Sequence, residues 1–167
     1  LQEGTDLILA IGSGTINDIC RFVSYRLHIP YFIIGTAPSM DGYTSNVSPL
    51  IVNNLKTTYE AVMPTAVIGD LLILKDAPMH MIAAGVGDIV GKYVCLTDWK
   101  AASLITGEYH CEYLESLVRE SIETVVQAVP HIKERSPEAI AAVMEGLILS
   151  GIVMSYAGNS RPASGSE

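Results

Sequence analysis

The sequence predicts an α/β segment that gives way to an all-helical one, with the change at residues 77 and 78. Short apolar runs ending in glycine alternate with one helical spacing before Asp76, which is the signature of a parallel sheet. From Pro78 onward, long apolar helical patterns separated by proline take over. Hydrophobic residues make up 49% of the 167 and charged residues 17%, a balance suited to burying several apolar elements.

Residues 6–11 form an apolar run ending at Gly12, the pattern of a buried parallel strand. Gly12-Ser13-Gly14-Thr15 makes the turn, and Ile16, Ile19, Cys20, Val23 and Leu27 then fall at helical spacing. Residues 29–34 read as a second buried strand, punctuated by Pro30 and ending at Gly35-Thr36-Ala37-Pro38. Together these make a β–α–β unit of the Rossmann-like kind. Residues 48–52, an Asn53-Asn54 turn and residues 66–70 suggest short strands around a hairpin-like connection, with Leu71-Leu72-Ile73-Leu74 continuing apolar.

The helical part is expected as residues 79–106, 109–129 and 137–156, punctuated by Pro130 and Ser136-Pro137. Ser136 suits an N-cap, with Pro137 in the first helical position. The polar residues 159–167 read either as a frayed tail or as a loop cut from its next element.

Ten Lys plus Arg against 18 Asp plus Glu give a net charge of −8, which excludes a phosphate-backbone binder, so no nucleic-acid partner is expected. No uninterrupted apolar run approaches the roughly 18 residues of a membrane span, and no basic leader with an apolar core opens the chain. The expectation is a cytoplasmic protein without a membrane span. Cys20, Cys95 and Cys111 form no C-x-x-C pair, and Cys20 and Cys95 are expected as buried, reduced thiols.

Three motifs could carry chemistry. Gly12-Ser13-Gly14-Thr15-Ile16-Asn17-Asp18 lies at a strand-to-helix turn, where glycines admit a pyrophosphate and the helix start offers free N–H groups. Asn17 holds the place of the third glycine of the common dinucleotide motif, so a plain tight turn is the competing reading. Thr36-Ala37-Pro38-Ser39-Met40-Asp41-Gly42-Tyr43-Thr44-Ser45 follows the second strand and would face the same crevice. Gly85-Val86-Gly87-Asp88-Ile89-Val90-Gly91-Lys92 puts three glycines and an aspartate inside an apolar helix. Each such glycine costs about 1 kcal/mol relative to alanine, so close approach by a ligand or a neighbouring element must compensate. Asp88 needs a partner, and spacing leaves open a metal or an i, i+4 pair with Lys92. His110 and Cys111 diverge by roughly 100° on a helix and make a poor zinc pair. Residues Glu112, Glu115, Arg119, Glu120 and Glu123 suit a solvated face, and Trp99 a packing anchor.

Taken together, the order of these motifs resembles the sn-glycerol-1-phosphate dehydrogenase family, within the iron-containing alcohol dehydrogenase, glycerol dehydrogenase and dehydroquinate synthase-like group. The resemblance runs from Asp6 to Glu167 and rests above all on the segment from Thr36 to Ser45 followed by the segment from Gly85 to Lys92. It implies NAD(H) or NADP(H) bound by Gly14, Thr15, Ile16, Asn17, Asp18, Thr36, Ala37, Pro38, Ser39 and Ser45. It implies a substrate contact at Asp41 and, at Asp88, a ligand of a catalytic divalent metal (Zn²⁺) lying beside the substrate. Two histidine ligands are then expected beyond Glu167. Residues 1–77 would be the later portion of a nucleotide-binding α/β domain and residues 78–167 the first portion of a helical metal and substrate domain, both incomplete.

The activity implied is reversible reduction of dihydroxyacetone phosphate to sn-glycerol 1-phosphate, a step toward glycerophospholipid backbones, by a homo-oligomer. The chain itself, holding one metal ligand, is expected to be inactive. Glycerol dehydrogenase or another iron-type alcohol dehydrogenase is the alternative on the same scaffold, and a catalytically inactive nucleotide-binding fragment is the other.

Overall fold

The computed structural model describes residues 4–164. Strand β1 (Ile8–Gly12), helix α1 (Gly14–Leu27) and strand β2 (Tyr31–Gly35) form the expected parallel β–α–β unit. Strand β5 (Ala66–Ile68) pairs with the far edge of β2, giving a parallel sheet in the order β1-β2-β5. Alternation sends Ile8, Ala10, Tyr31 and Ile33 into the core. The register places Gly12 opposite Gly35, so the loops after β1 and β2 leave the sheet side by side. That edge is where ligands sit in open parallel sheets.

Strands β3 (Val47–Val52) and β4 (Leu55–Glu60) form an antiparallel hairpin around Asn53 and Asn54. Both turn residues have positive φ, 51° and 61°, as a two-residue turn that matches strand twist requires. The hairpin expectation therefore needs correcting. Its second strand is Leu55–Glu60, whereas residues 66–68 cross to the parallel sheet. The polar segment Lys56-Thr57-Thr58 hid β4; its anchor is Tyr59, whose ring packs 5.1 Å from that of Phe22 on α1. Helix α2 (Leu71–Leu74) follows, capped where the Asp70 carboxylate accepts a hydrogen bond from Leu72 N at 2.8 Å.

Helices α3 (Met79–Thr106), α4 (Glu112–Ile132) and α5 (Pro137–Ala157) make the helical part. Ser136 caps α5 as expected, accepting from Ala139 N at 3.2 Å, with Pro137 in the first turn. Pro130 does not end α4, which continues to Ile132. Arg135, in the turn between α4 and α5, donates to the carbonyls of Lys75 and Ala77 and so ties the helices to the α/β part.

By length and composition α3 and α5 could each cross a membrane, although charged residues interrupt both, Asp88 and Lys92 in α3 and Glu145 in α5. For α5 the reason for the apolar character is burial: 56% of its apolar stretch is covered, against 28% for α3. A helix apolar on every side is what the middle of a helical layer demands.

Residues 161–164 form a short helix, α6 (Arg161–Ser164), in place of a frayed end. Pro162 is buried, and the Arg161 guanidinium grips Glu108 through Nε–Oε1 at 2.7 Å and Nη2–Oε2 at 3.0 Å. Gly165, Ser166 and Glu167, the last residues in the resemblance, lie outside the described residues. All three cysteines are free thiols, but Cys20 and Cys95 are half-buried instead of buried. Trp99 is fully buried, as an anchor should be, donating to Tyr109 O at 2.8 Å and packing 4.6 Å from the His110 ring. Glu115 Oε2 lies 3.0 Å from His110 Nε2, a close contact without hydrogen-bond alignment.

Candidate active site

The glycine turn opens onto the start of α1. Ser13 makes no side-chain cap and the first turn holds no acidic residue, so the first N–H groups of α1 have no side-chain acceptor from the cap. Thr15 and Ile16 are exposed there. Asn17 and Asp18 do something else. Asn17 is fully buried, its amide donating to Gly42 O at 3.2 Å and its Oδ1 accepting from Tyr31 Oη at 3.4 Å. Asp18 pairs with Arg21 at 3.2 Å; burial pushes its carboxyl up to about 6 although the guanidinium pulls the other way. Both side chains thus brace the second loop.

Arg21 is the residue that sequence reasoning missed. It is fully buried and donates to Tyr31 Oη (3.0 Å), Val47 O (2.8 Å), Tyr43 O (3.0 Å) and Gly42 O. A buried arginine must spend its donors on acceptors, and here they hold the loop after β2 against α1. The only sequence signal was its place three residues after Asp18.

That loop is closely built. Thr36 N donates to Gly12 O at 3.0 Å, joining the two candidate loops at their roots. Tyr43 Oη donates to Ala37 O at 2.7 Å, and burial pushes the phenol up to about 12. Ala37 and Pro38 are buried, while Thr36 and Ser39 are half-buried. Ser45 is buried and its Oγ accepts from Val47 N at 3.1 Å, a local turn. The Met40 side chain lies over Gly14, where an added Cβ would meet its Cγ at 3.2 Å. The glycine turn and the second loop therefore form one surface.

Helix α3 approaches the same loop backbone to backbone at Gly85, which explains one of the three helix glycines. One turn later Asp88 reaches it. Its Oδ2 accepts from Asp41 N at 2.9 Å, and its Oδ1 accepts from Lys92 Nζ at 3.1 Å. Lys92 is fully buried and also donates to Asp41 Oδ2 at 2.7 Å. The i, i+4 pair is thus real, but Lys92 shares itself with Asp41. Burial and then the Asp41 charge raise the Asp88 carboxyl above its ordinary range, with Lys92 opposing them. Burial works against the ammonium, yet the charges of Asp41 and Asp88 outweigh it and hold Lys92 protonated. Gly87 and Gly91 have nothing within 4 Å of an added Cβ.

The two carboxylates remain reachable, with side-chain exposures of 30% for Asp88 and 19% for Asp41. Oxygen donors of this kind suit a divalent cation. Among the described residues, however, no group of three or more His, Cys, Asp or Glu side chains gathers to hold one. Asp88 fits the role of one ligand; the described residues do not close a metal site. A groove of about 330 Å³ between α3 and α4, lined in part by Lys100, Glu115 and Arg119, contains none of these residues.

A family model described as iron-containing alcohol dehydrogenase matches residues 1–78. A glycerol-1-phosphate dehydrogenase of Bacillus licheniformis is 43% identical over 162 residues, which are 97% of this chain and 40% of that protein. One from Pyrococcus horikoshii is 40% identical over 166 residues, 99% of this chain and 48% of that protein. The chain is similar to the iron-containing alcohol dehydrogenase family in its first half and to glycerol-1-phosphate dehydrogenases along nearly its whole length. It spans less than half the length of these two curated relatives.

Solved structures show the same fold. A probable glycerol dehydrogenase from Sinorhizobium meliloti superposes with TM-score 0.78 at 19% identity, over 90% of this chain and 46% of that one. An iron-containing alcohol dehydrogenase from Corynebacterium glutamicum gives 0.75 at 23%, over 92% and 42%. On this shared fold the chain brings three separate motifs to one edge of its sheet.

Proposed function

We propose that this chain is part of an NAD(P)-dependent, metal-dependent glycerol-1-phosphate dehydrogenase that interconverts dihydroxyacetone phosphate and sn-glycerol 1-phosphate. The observation that carries the reading is the meeting of Asp41 and Asp88 around Lys92, at the carboxyl edge of the parallel sheet. About 40% identity to curated proteins of that activity supports the phosphorylated substrate over free glycerol. Residues 1–77 serve the nucleotide and residues 78–167 begin the metal and substrate part.

In this reading the first-turn N–H groups of α1, at Gly14, Thr15 and Ile16, receive the dinucleotide pyrophosphate. Asn17 and Asp18 act through the brace they form with Arg21. The wall from Thr36 to Ser39, with Ser45 at its end, orients the nicotinamide half. Asp41 accepts a hydrogen bond from a substrate hydroxyl. Asp88 contributes one ligand to a divalent cation, Zn²⁺ in this proposal, with further ligands outside the described residues. The cofactor supplies hydride, and the metal polarises the carbonyl. The protein's part is to hold hydroxyl, carbonyl and nucleotide in register. A cytoplasmic homo-oligomer serving glycerophospholipid synthesis belongs to the same reading and rests on the resemblance.

The test is NADH or NADPH oxidation with dihydroxyacetone phosphate, assayed on this chain and on a polypeptide of the relatives' full length that contains it. The longer polypeptide should turn over, and lose turnover on chelation and on Asp88→Asn; this chain alone should not. Reduction of other ketones with none of dihydroxyacetone phosphate would sink the substrate assignment.

A further inference from the structure

Two carboxylates side by side repel, and each prefers water to protein. Asp41 and Asp88 nonetheless meet closely enough for the Asp41 N–H to reach Asp88 Oδ2 at 2.9 Å. What permits this is a closed ring. Asp41 N donates to Asp88, Lys92 Nζ donates to Asp88 Oδ1, and the same Nζ donates to Asp41 Oδ2. A fourth group, from a different helix, grips the ring from outside: Ser150 Oγ on α5 donates to Asp41 Oδ2 at 3.0 Å.

The arrangement is lopsided. The hydrogen bonds that fix the Asp41 carboxylate, from Lys92 and Ser150, both fall on Oδ2. Both donors are sealed from solvent, Lys92 at 0% exposure and Ser150 at 1%. Neither can touch a ligand arriving from outside, so neither is a catalytic residue. Their effect on a carboxylate that is itself 19% exposed is to hold it by one oxygen, Oδ2, from the buried side. Close packing of α5 on the loop supports the grip. An added Cβ at Gly151 would collide with Thr44 Oγ1 at 2.4 Å and with Asp41 O at 2.7 Å, and Thr44 Oγ1 donates to Ile148 O at 2.7 Å.

We propose that Lys92 and Ser150 are positioning residues that fix the Asp41 carboxylate by its Oδ2 and present its Oδ1 to the substrate hydroxyl. The inference deepens the functional reading above and rests on it for the identity of the ligand. Lys92 joins loop to α3, and Ser150 joins loop to α5. Helix α5 thereby sets the substrate contact without reaching the substrate, and specificity depends on a helix outside the three motifs.

Two measurements on the purified chain test it. The first is independent of any activity: carboxyl ¹³C signals of labelled aspartates, assigned with Asp41→Asn and Asp88→Asn. Ser150→Ala should move the Asp41 signal and leave that of Asp88 in place, whereas Lys92→Met should move both. An Asp41 signal unmoved by Ser150→Ala overturns the proposal. The second is binding of dihydroxyacetone phosphate and of NADH by calorimetry. Ser150→Ala should weaken the first about fivefold, the loss of one hydrogen bond, and leave the second unchanged. Equal loss for both ligands would mark Ser150 as merely structural and also overturn it. If the native chain binds no dihydroxyacetone phosphate, the substrate reading fails for this chain, and the ¹³C result alone decides the positioning role. Ser150→Ala removes one hydroxyl, so it remains informative if Lys92→Met, which strands two carboxylates, does not fold.

Discussion

Gly85 lies so close to Pro38 that a Cβ added to it would fall 2.0 Å from the Pro38 carbonyl oxygen. Helix α3 and the loop after β2 therefore touch along their backbones, and that contact brings Asp88 within reach of Asp41. Backbone cannot yield as a flexible side-chain end can. Gly85→Ala should cost about 1–3 kcal/mol, as overpacking does, and should displace the loop as well. Urea unfolding reads the first effect and the Asp41 carboxyl ¹³C signal the second. Unchanged values for both would contradict the contact.

Two neighbouring glycines should behave in the opposite way. Gly87 and Gly91 occupy the same helix with open space where a Cβ would go. Alanine there keeps the helix and removes the unfolded-state freedom of glycine, so each replacement should stabilise this chain by about 0.5–1 kcal/mol. A fall in melting temperature for Gly87→Ala would show that the space is filled.

Arg21 should be the most costly polar residue in the α/β part to lose. Arg21→Met keeps much of the volume but leaves the acceptors at Val47, Gly42 and Tyr43 without that donor and strips Asp18 of its guanidinium. Breaking a buried pair in this way costs about 3–5 kcal/mol. Equilibrium denaturation should show a loss of that order, and a loss below about 1 kcal/mol, the worth of a single ordinary hydrogen bond, would refute the brace.

Asp18 predicts a pH dependence of definite sign. Its carboxyl is raised from an ordinary 3.8 to about 6 in the fold. Between those values the folded chain binds more protons than the unfolded one, so this group's contribution falls as pH rises from about 4 to about 6 and stays low above. In Asp18→Asn that contribution is gone. The mutant should gain on the native chain across this window by on the order of 2 kcal/mol, then hold a constant difference. Parallel stability curves from pH 4 to 7 would exclude a raised Asp18.

Much of the framework was legible in the residues themselves. Continuous apolar runs ending in glycine gave β1 and β2, and Ser136-Pro137 marked the start of α5, because these signals act over a few neighbouring residues. Strand β4 was not legible. Its Lys56-Thr57-Thr58 run has no apolar alternation, and its place comes from the Asn53-Asn54 turn and from Tyr59 meeting Phe22. The short helix α6 was hidden for a similar reason, since the Glu108 carboxylate that pins Arg161 lies 53 residues earlier.

At the candidate site the division is sharper. The sequence by itself determined which residues are candidates for chemistry: the Gly14 turn, the loop carrying Asp41, and Asp88 with Lys92 one helical turn on. It left open whether Asp88 was a ligand or half of an ion pair. Only the tertiary structure decided that Lys92 serves two carboxylates 47 residues apart, that Ser150 joins them from another helix, and that Arg21 turns inward. The reason is range. Helical spacing fixes neighbours four residues away, but a charge held without water takes its partners from whichever elements the packed core brings beside it.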